Sequence, residues 1–129
     1  PDALANFAAI RRQLEHVSDF RAIELRMFSD ELRIAGTVDL IATYRGKLCI
    51  IDYKTSRKVK KREWIDHYFM QAAGYSKMWT EHTGEKVDAL VILMAVDDQK
   101  ECSVFEEEVP TNLKKLKAAR LEFYKKFGL

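Results

Sequence analysis

The chain has 129 residues with 22 Lys+Arg against 20 Asp+Glu, a formal charge of +2; that length suits a single domain, 1–129, and leaves no strong net field. A hydrophobic fraction of 47% beside 33% charged residues, with 5 Gly and 2 Pro, supplies a core and excludes disordered, collagenous and low-complexity classes. The longest apolar stretch, Ala89 to Val96, falls far short of the roughly 20 residues that span a bilayer, so no membrane partner is expected and any polyanion must be held by local basic patches. Cys49 and Cys102 lie in strand-like runs without zinc-site spacing, which reads as buried free thiols in a reducing compartment. The first residue is Pro1 and no signal-peptide pattern follows, so the numbering is expected to begin inside a longer protein.

In chain order, Leu4, Phe7, Ala8, Ile10, Leu14 and Val17 recur mostly at three- and four-residue spacing and predict an amphipathic helix stopping near Ser18-Asp19. Three antiparallel strands are expected over Ile23–Phe28, Leu32–Tyr44 and Lys47–Lys54, punctuated at Ser29-Asp30 and Arg45-Gly46. A long helix carrying Ile65, Tyr68, Phe69, Ala72, Ser76 and Trp79 should end at Gly84. Ala89–Val96 has the pattern of a strand buried on both faces, followed by a strand around Cys102–Phe105. After Pro110, the residues Leu113, Leu116, Ala119, Phe123 and Phe127 predict a closing helix. The order α-β-β-β-α-β-β-α describes an α/β domain, a mixed sheet sandwiched by helices.

If Arg45-Gly46 is a two-residue turn, the flanking strands pair residue for residue from Tyr44 and Lys47 onward, and Asp39 faces Asp52 while Lys54 faces Thr37. A bulge at the turn would shift that register by one. Directly opposed residues have Cβ atoms about 4.5–5.5 Å apart, where like charges destabilise unless compensated. Carboxylate oxygens suit a hard divalent cation, and Mg²⁺ takes one or two carboxylates while keeping waters for a phosphate. The competing reading has Lys54 neutralise the pair, or both acids reach solvent; Ile41 and Ile50 on the same face favour a packed site.

Gly36-x-x-Asp39, Ile51-Asp52-Tyr53-Lys54-Thr55-Ser56 and Gln71-x-x-x-Tyr75, in these elements, together resemble the PD-(D/E)XK nuclease superfamily in its RecB-like branch. Gly36–Ser56 is especially similar to a mitochondrial and phage-borne exonuclease group within it. The resemblance implies a restriction-endonuclease-like core and a Mg²⁺- or Mn²⁺-dependent exonuclease acting on DNA, preferably single-stranded, in replication, repair or recombination. It implies metal binding by Asp39, Asp52 and the Tyr53 carbonyl, a catalytic Lys54 beside the scissile phosphate, and Gln71 and Tyr75 holding the site and the strand. The alternatives are an inactive DNA-binding module of the same fold and a structure-specific endonuclease. Such an enzyme would work in the cytoplasm of a bacterial or phage-infected cell, or in a eukaryotic mitochondrion or nucleus.

Val38 stands where the superfamily's name has proline. The upstream metal-site residue has Glu15, His16 and Glu24 as candidates, with Glu24 on the first strand the best match, unless it precedes Pro1. Thr55 is a further candidate substrate-binding residue, and Arg57, Lys58, Lys60, Lys61 and Arg62 form a basic run directly after Thr55-Ser56, suited to clamping phosphates, with a solvated linker as the plainer reading. Trp64 and Tyr68 suit base stacking, against core packing for Trp64. The lysines of the last helix read as its solvent face.

Overall fold

The computed structural model describes residues 3–127; Pro1, Asp2, Gly128 and Leu129, and the side chains of Tyr124 and Phe127, lie outside what it describes. The elements run α1 (Ala3–Leu14), β1 (Val17–Ser29), β2 (Ile34–Tyr44), β3 (Lys47–Ser56), a 3₁₀ turn at Arg62–Trp64, α2 (Asp66–Thr83), β4 (Ala89–Val96), β5 (Ser103–Glu107) and α3 (Val109–Phe127). They build one five-stranded sheet in the order β1-β2-β3-β4-β5, antiparallel except for the parallel β3·β4 pair that α2 connects. A parallel pair needs a crossover, and the helical run between the two strands supplies it.

The alternation along β4 sorts the core into two layers. Leu90, Ile92, Met94 and Val96 meet Ile41, Ile50 and the α2 residues Phe69, Ala72 and Met78, whereas Ala89, Val91, Leu93 and Ala95 meet Leu40, Ala42, Ile51 and Ala9 of α1. Every residue of β4 is buried, as a two-sided strand requires. Asp52 and Lys54 follow Ile50 at steps of two on β3 and therefore face α2. Both cysteines are free and buried, and burial pushes each thiol up to about 11. Among the described residues no helix is long and apolar enough to cross a membrane.

Arg45 and Gly46 both have positive φ, 50° and 85°, the signature of a two-residue hairpin turn. No bulge intervenes there, and β2 and β3 pair in the expected register from Tyr44↔Lys47 to Leu40↔Ile51. Gly84 takes the left-handed cap at φ 78° and donates its N–H to Thr80 O at 2.8 Å, so α2 ends where glycine predicted.

The structure corrects several of these expectations. The first helix stops at Leu14, and Val17 and Ser18 already pair with Tyr44 and Thr43; β1 then loses register before Ala22, with Asp19 at φ 47°. This edge strand is mostly exposed and bulged, so its sequence carries no alternation. β2 begins at Ile34, since Leu32 is held in the preceding turn, donating its N–H to Ser29 Oγ at 3.0 Å. The last strand begins at Ser103 and extends to Glu107. Lys54 does not pair with Thr37, because the β2·β3 ladder ends at Leu40↔Ile51; Thr37 keeps its β1 partner Arg26, and Lys54 its β4 partner Met94.

Candidate active site

The β2·β3 ladder ends at Leu40↔Ile51, one step short of the two aspartates. Beyond it the Asp39 side chain substitutes for the missing backbone bond, its Oδ2 accepting the Tyr53 N–H at 2.8 Å. The alternation of β2 also fails here, because Val38 joins the α2-side core while Leu40 joins the α1 side. The hairpin opens where its sequence becomes charged.

Asp52 is 5% exposed. Lys54 Nζ stands 2.9 Å from its Oδ2, yet that oxygen has no hydrogen bond of acceptable geometry; the contact is an ion pair by distance and leaves a lone pair undirected. Burial first, and then the neighbouring Asp39 carboxyl, push the Asp52 carboxyl up to about 7, against the pull of Lys54. An isolated buried carboxylate is costly. Asp39, Asp52 and Lys54 are therefore brought together on the face that α2 covers.

α2 lays three polar side chains over this opening, since Tyr68, Gln71 and Tyr75 recur at helical spacing. The Tyr75 hydroxyl is raised by its own burial and by the charges of Asp52 and Asp39, with Gln71 as its hydrogen-bonding neighbour. A Cβ on Gly36 would lie 2.9 Å from Tyr75 Cε1, so the glycine of Gly36-x-x-Asp39 is the gap that lets this ring cross β2. Tyr68 covers Lys54, whose Nζ is 4.6 Å from the ring centroid, and Lys60 Nζ approaches the same ring at 6.0 Å. The Lys54 contact is a property of tertiary placement that spacing alone did not indicate.

The basic segment divides. Arg57, Lys58 and Lys61 are exposed and Lys60 is half-buried, whereas Arg62 is committed to Asp66 at 2.6 Å and Glu107 at 3.0 Å with its guanidinium over Phe69. Arg62 thus fixes the loop to α2 and β5. Trp64 is 57% exposed with Lys61 Nζ 5.5 Å from its ring, so core packing does not account for it. Thr55 lies apart from Lys54, as period-two alternation demands, and lines a cleft with Asn6, Ser56, Arg57 and Asp97.

The upstream candidates also separate. Glu15 and His16 lie at the turn end of the hairpin, where Arg45 donates its N–H to His16 O, about 17 Å along β2 from Asp39 at strand rise. Glu24 occupies the register position opposite Asp39, between Ile23↔Leu40 and Leu25↔Val38, at φ 49°. Its charge joins those of Asp39 and Asp52 in raising the Tyr53 hydroxyl, after burial, to about 12. Among the described residues no three His, Cys, Asp or Glu gather into a metal-ligand group.

Two carboxylates, one with an undirected buried oxygen, fit a hard divalent ion that draws its other ligands from backbone and water. They do not fit Zn²⁺, which wants several His or Cys ligands. Asp39 and Asp52 are the carboxylates that could hold such an ion.

A family model of the PD-(D/E)XK nuclease superfamily matches residues 2–126. Mitochondrial genome maintenance exonuclease 1 of Mus musculus is 42% identical over 52 residues, 40% of this chain and 15% of the relative, and the Homo sapiens protein aligns with the same identity and coverage. The aligned stretch thus spans only a small part of these curated relatives. A putative exonuclease from Eubacterium rectale shares the fold, with a TM-score of 0.60 at 15% identity over 87% of this chain and 47% of that one.

Proposed function

The chain belongs to the PD-(D/E)XK nuclease superfamily, and from that premise we propose that it is a Mg²⁺- or Mn²⁺-dependent DNA exonuclease that prefers single strands and serves DNA replication, repair or recombination. The observation that carries this reading is the opened end of the β2–β3 hairpin, where buried Asp52 keeps an oxygen without a hydrogen bond beside Asp39 and Lys54. A fold does not normally bring two carboxylates together there without a use for them.

When bound, a divalent ion supplies Lewis acidity toward the phosphodiester and makes water a nucleophile at neutral pH. Asp39, Asp52 and the Tyr53 carbonyl would hold it. Lys54 places its ammonium where negative charge grows on the phosphate, stabilising the transition state more than the ground state. Gln71 and Tyr75 orient the strand from α2, and Arg57, Lys58, Lys60 and Lys61 hold successive backbone phosphates. Trp64, exposed beside Lys61, offers a base a stacking surface, which favours an unpaired strand over a duplex.

The test is digestion of a linear single-stranded DNA and of a closed circle of the same sequence by the full chain in magnesium. The linear strand is expected to be degraded and the circle spared. Rapid nicking of the circle would replace the exonuclease with an endonuclease. Binding in calcium without cleavage in magnesium would leave a DNA-binding module.

A further inference from the structure

The approach of Tyr68 to Lys54 goes beyond the residues that carry the proposed chemistry. A lysine side chain is long and flexible, and its ammonium reaches a fixed direction only when neighbours hold it. Here Nζ lies 2.9 Å from Asp52 Oδ2 and 4.6 Å from the centroid of the Tyr68 ring. The first is a close ion pair that lacks the geometry of an aligned hydrogen bond. The second lies well inside the roughly 6 Å range of cation–π attraction, on a lysine side chain that is 24% exposed.

We propose that Tyr68 is a positioning residue for Lys54, its ring face fixing the ammonium beside Asp52; this rests on the nuclease reading of that site. A carboxylate that also serves a cation has less charge to spare for Lys54. A neutral ring is not drawn away by a cation or a phosphate, so its hold persists through binding. Lys60 Nζ, 6.0 Å from the same ring, ties the basic loop to the same support. The phenol oxygen plays no part; an aromatic face at position 68 is the requirement.

The experiment compares Tyr68→Phe, Tyr68→Leu and Tyr68→Met in the full chain. In labelled protein without divalent ions, the Lys54 ε-methylene protons, assigned by their loss in Lys54→Ala, should be shifted upfield by the ring in the wild type and in Tyr68→Phe. That shift should vanish in the Leu and Met variants. On single-stranded DNA in magnesium, Leu and Met should lower kcat about 10-fold, within the reach of a desolvated cation–π contact, with KM changed less than about twofold. Tyr68→Phe should restore kcat. An ε-methylene shift that survives in the Leu and Met variants overturns the proposal, as does a Phe variant as slow as Leu, or a change confined to KM. Should the wild type fail to cut any DNA, the nuclease reading falls, and the ring-shift comparison still decides whether Tyr68 positions Lys54. Should Leu fail to fold, Met against Phe carries the same comparison.

Discussion

Between Leu40 and Tyr44, β2 pairs with β3 residue for residue, and Ile41, Ile50 and Ile51 are fully buried; between Gly36 and Asp39 the same strand leaves its partner, and the space holds Asp52, Lys54 and the Tyr75 ring. The closed half satisfies its backbone internally and buries hydrocarbon, which stabilises the fold. The open half replaces ladder bonds with a single carboxylate-to-amide bond and buries charge. One hairpin thus has a half that holds the domain together and a half that gathers Asp39, Asp52 and Lys54, the groups to which the proposed function assigns a cation and a phosphate. Stability and reactivity are separated by one residue pair.

The largest expected effect lies in the closed half. Ile50→Ala removes a fully buried side chain and should cost about 2–5 kcal/mol of stability, read by urea unfolding, while the activity of each folded molecule stays near wild type. Loss of chemistry in the folded fraction would show that the two halves are not separate.

In the open half, Lys54→Ala should slow single-turnover cleavage by about 10²-fold or more with DNA affinity little changed. A variant that instead unfolds would make Lys54 a structural counter-ion to Asp52. The smallest effect belongs to the rim: neutralising Lys58, Lys60 and Lys61 together should weaken DNA binding and flatten its log-log salt dependence by roughly 0.7 for each phosphate that the loop no longer neutralises. An unchanged slope would make the loop a linker.

The closed half was legible in the sequence because its constraints are local. Arg45-Gly46 dictates the turn, the turn dictates the register, and alternation places Ile41 and Ile50. Gly84 and the wholly apolar β4 were legible for the same reason. The open half was legible only as composition: extending the turn's register brings Asp39 near Asp52, but no local signal says that the ladder stops at Leu40↔Ile51 or that Asp39 then binds the Tyr53 N–H. The Lys54–Thr37 pairing failed for this reason.

Strand period alone was enough to separate Thr55 from Lys54, a signal in the sequence that the motif's continuity obscured. Arg62–Asp66 was readable from its four-residue spacing, while Glu107 reaches Arg62 from a strand 45 residues away. The contact of Tyr68 with Lys54 needs α2 docked on β3 and has no local signature. Glu24 sits at a position that only the β1–β2 register reveals.

On the proposed nuclease reading, Asp52 is retained at a cost to the fold because it serves a cation. Its carboxyl titrates near 7 in the folded chain against an ordinary 3.8, so between those values the native state holds the extra proton. Stability from this group is present at low pH and is lost as pH rises toward and through 7. Thermal unfolding at pH 8, with and without Mn²⁺, of the wild type and Asp52→Asn tests this directly. The Asn variant should melt higher than the wild type without metal, Mn²⁺ should raise the wild-type Tm by mass action, and the variant should not respond. A less stable variant together with a wild type indifferent to Mn²⁺ would contradict that role for Asp52.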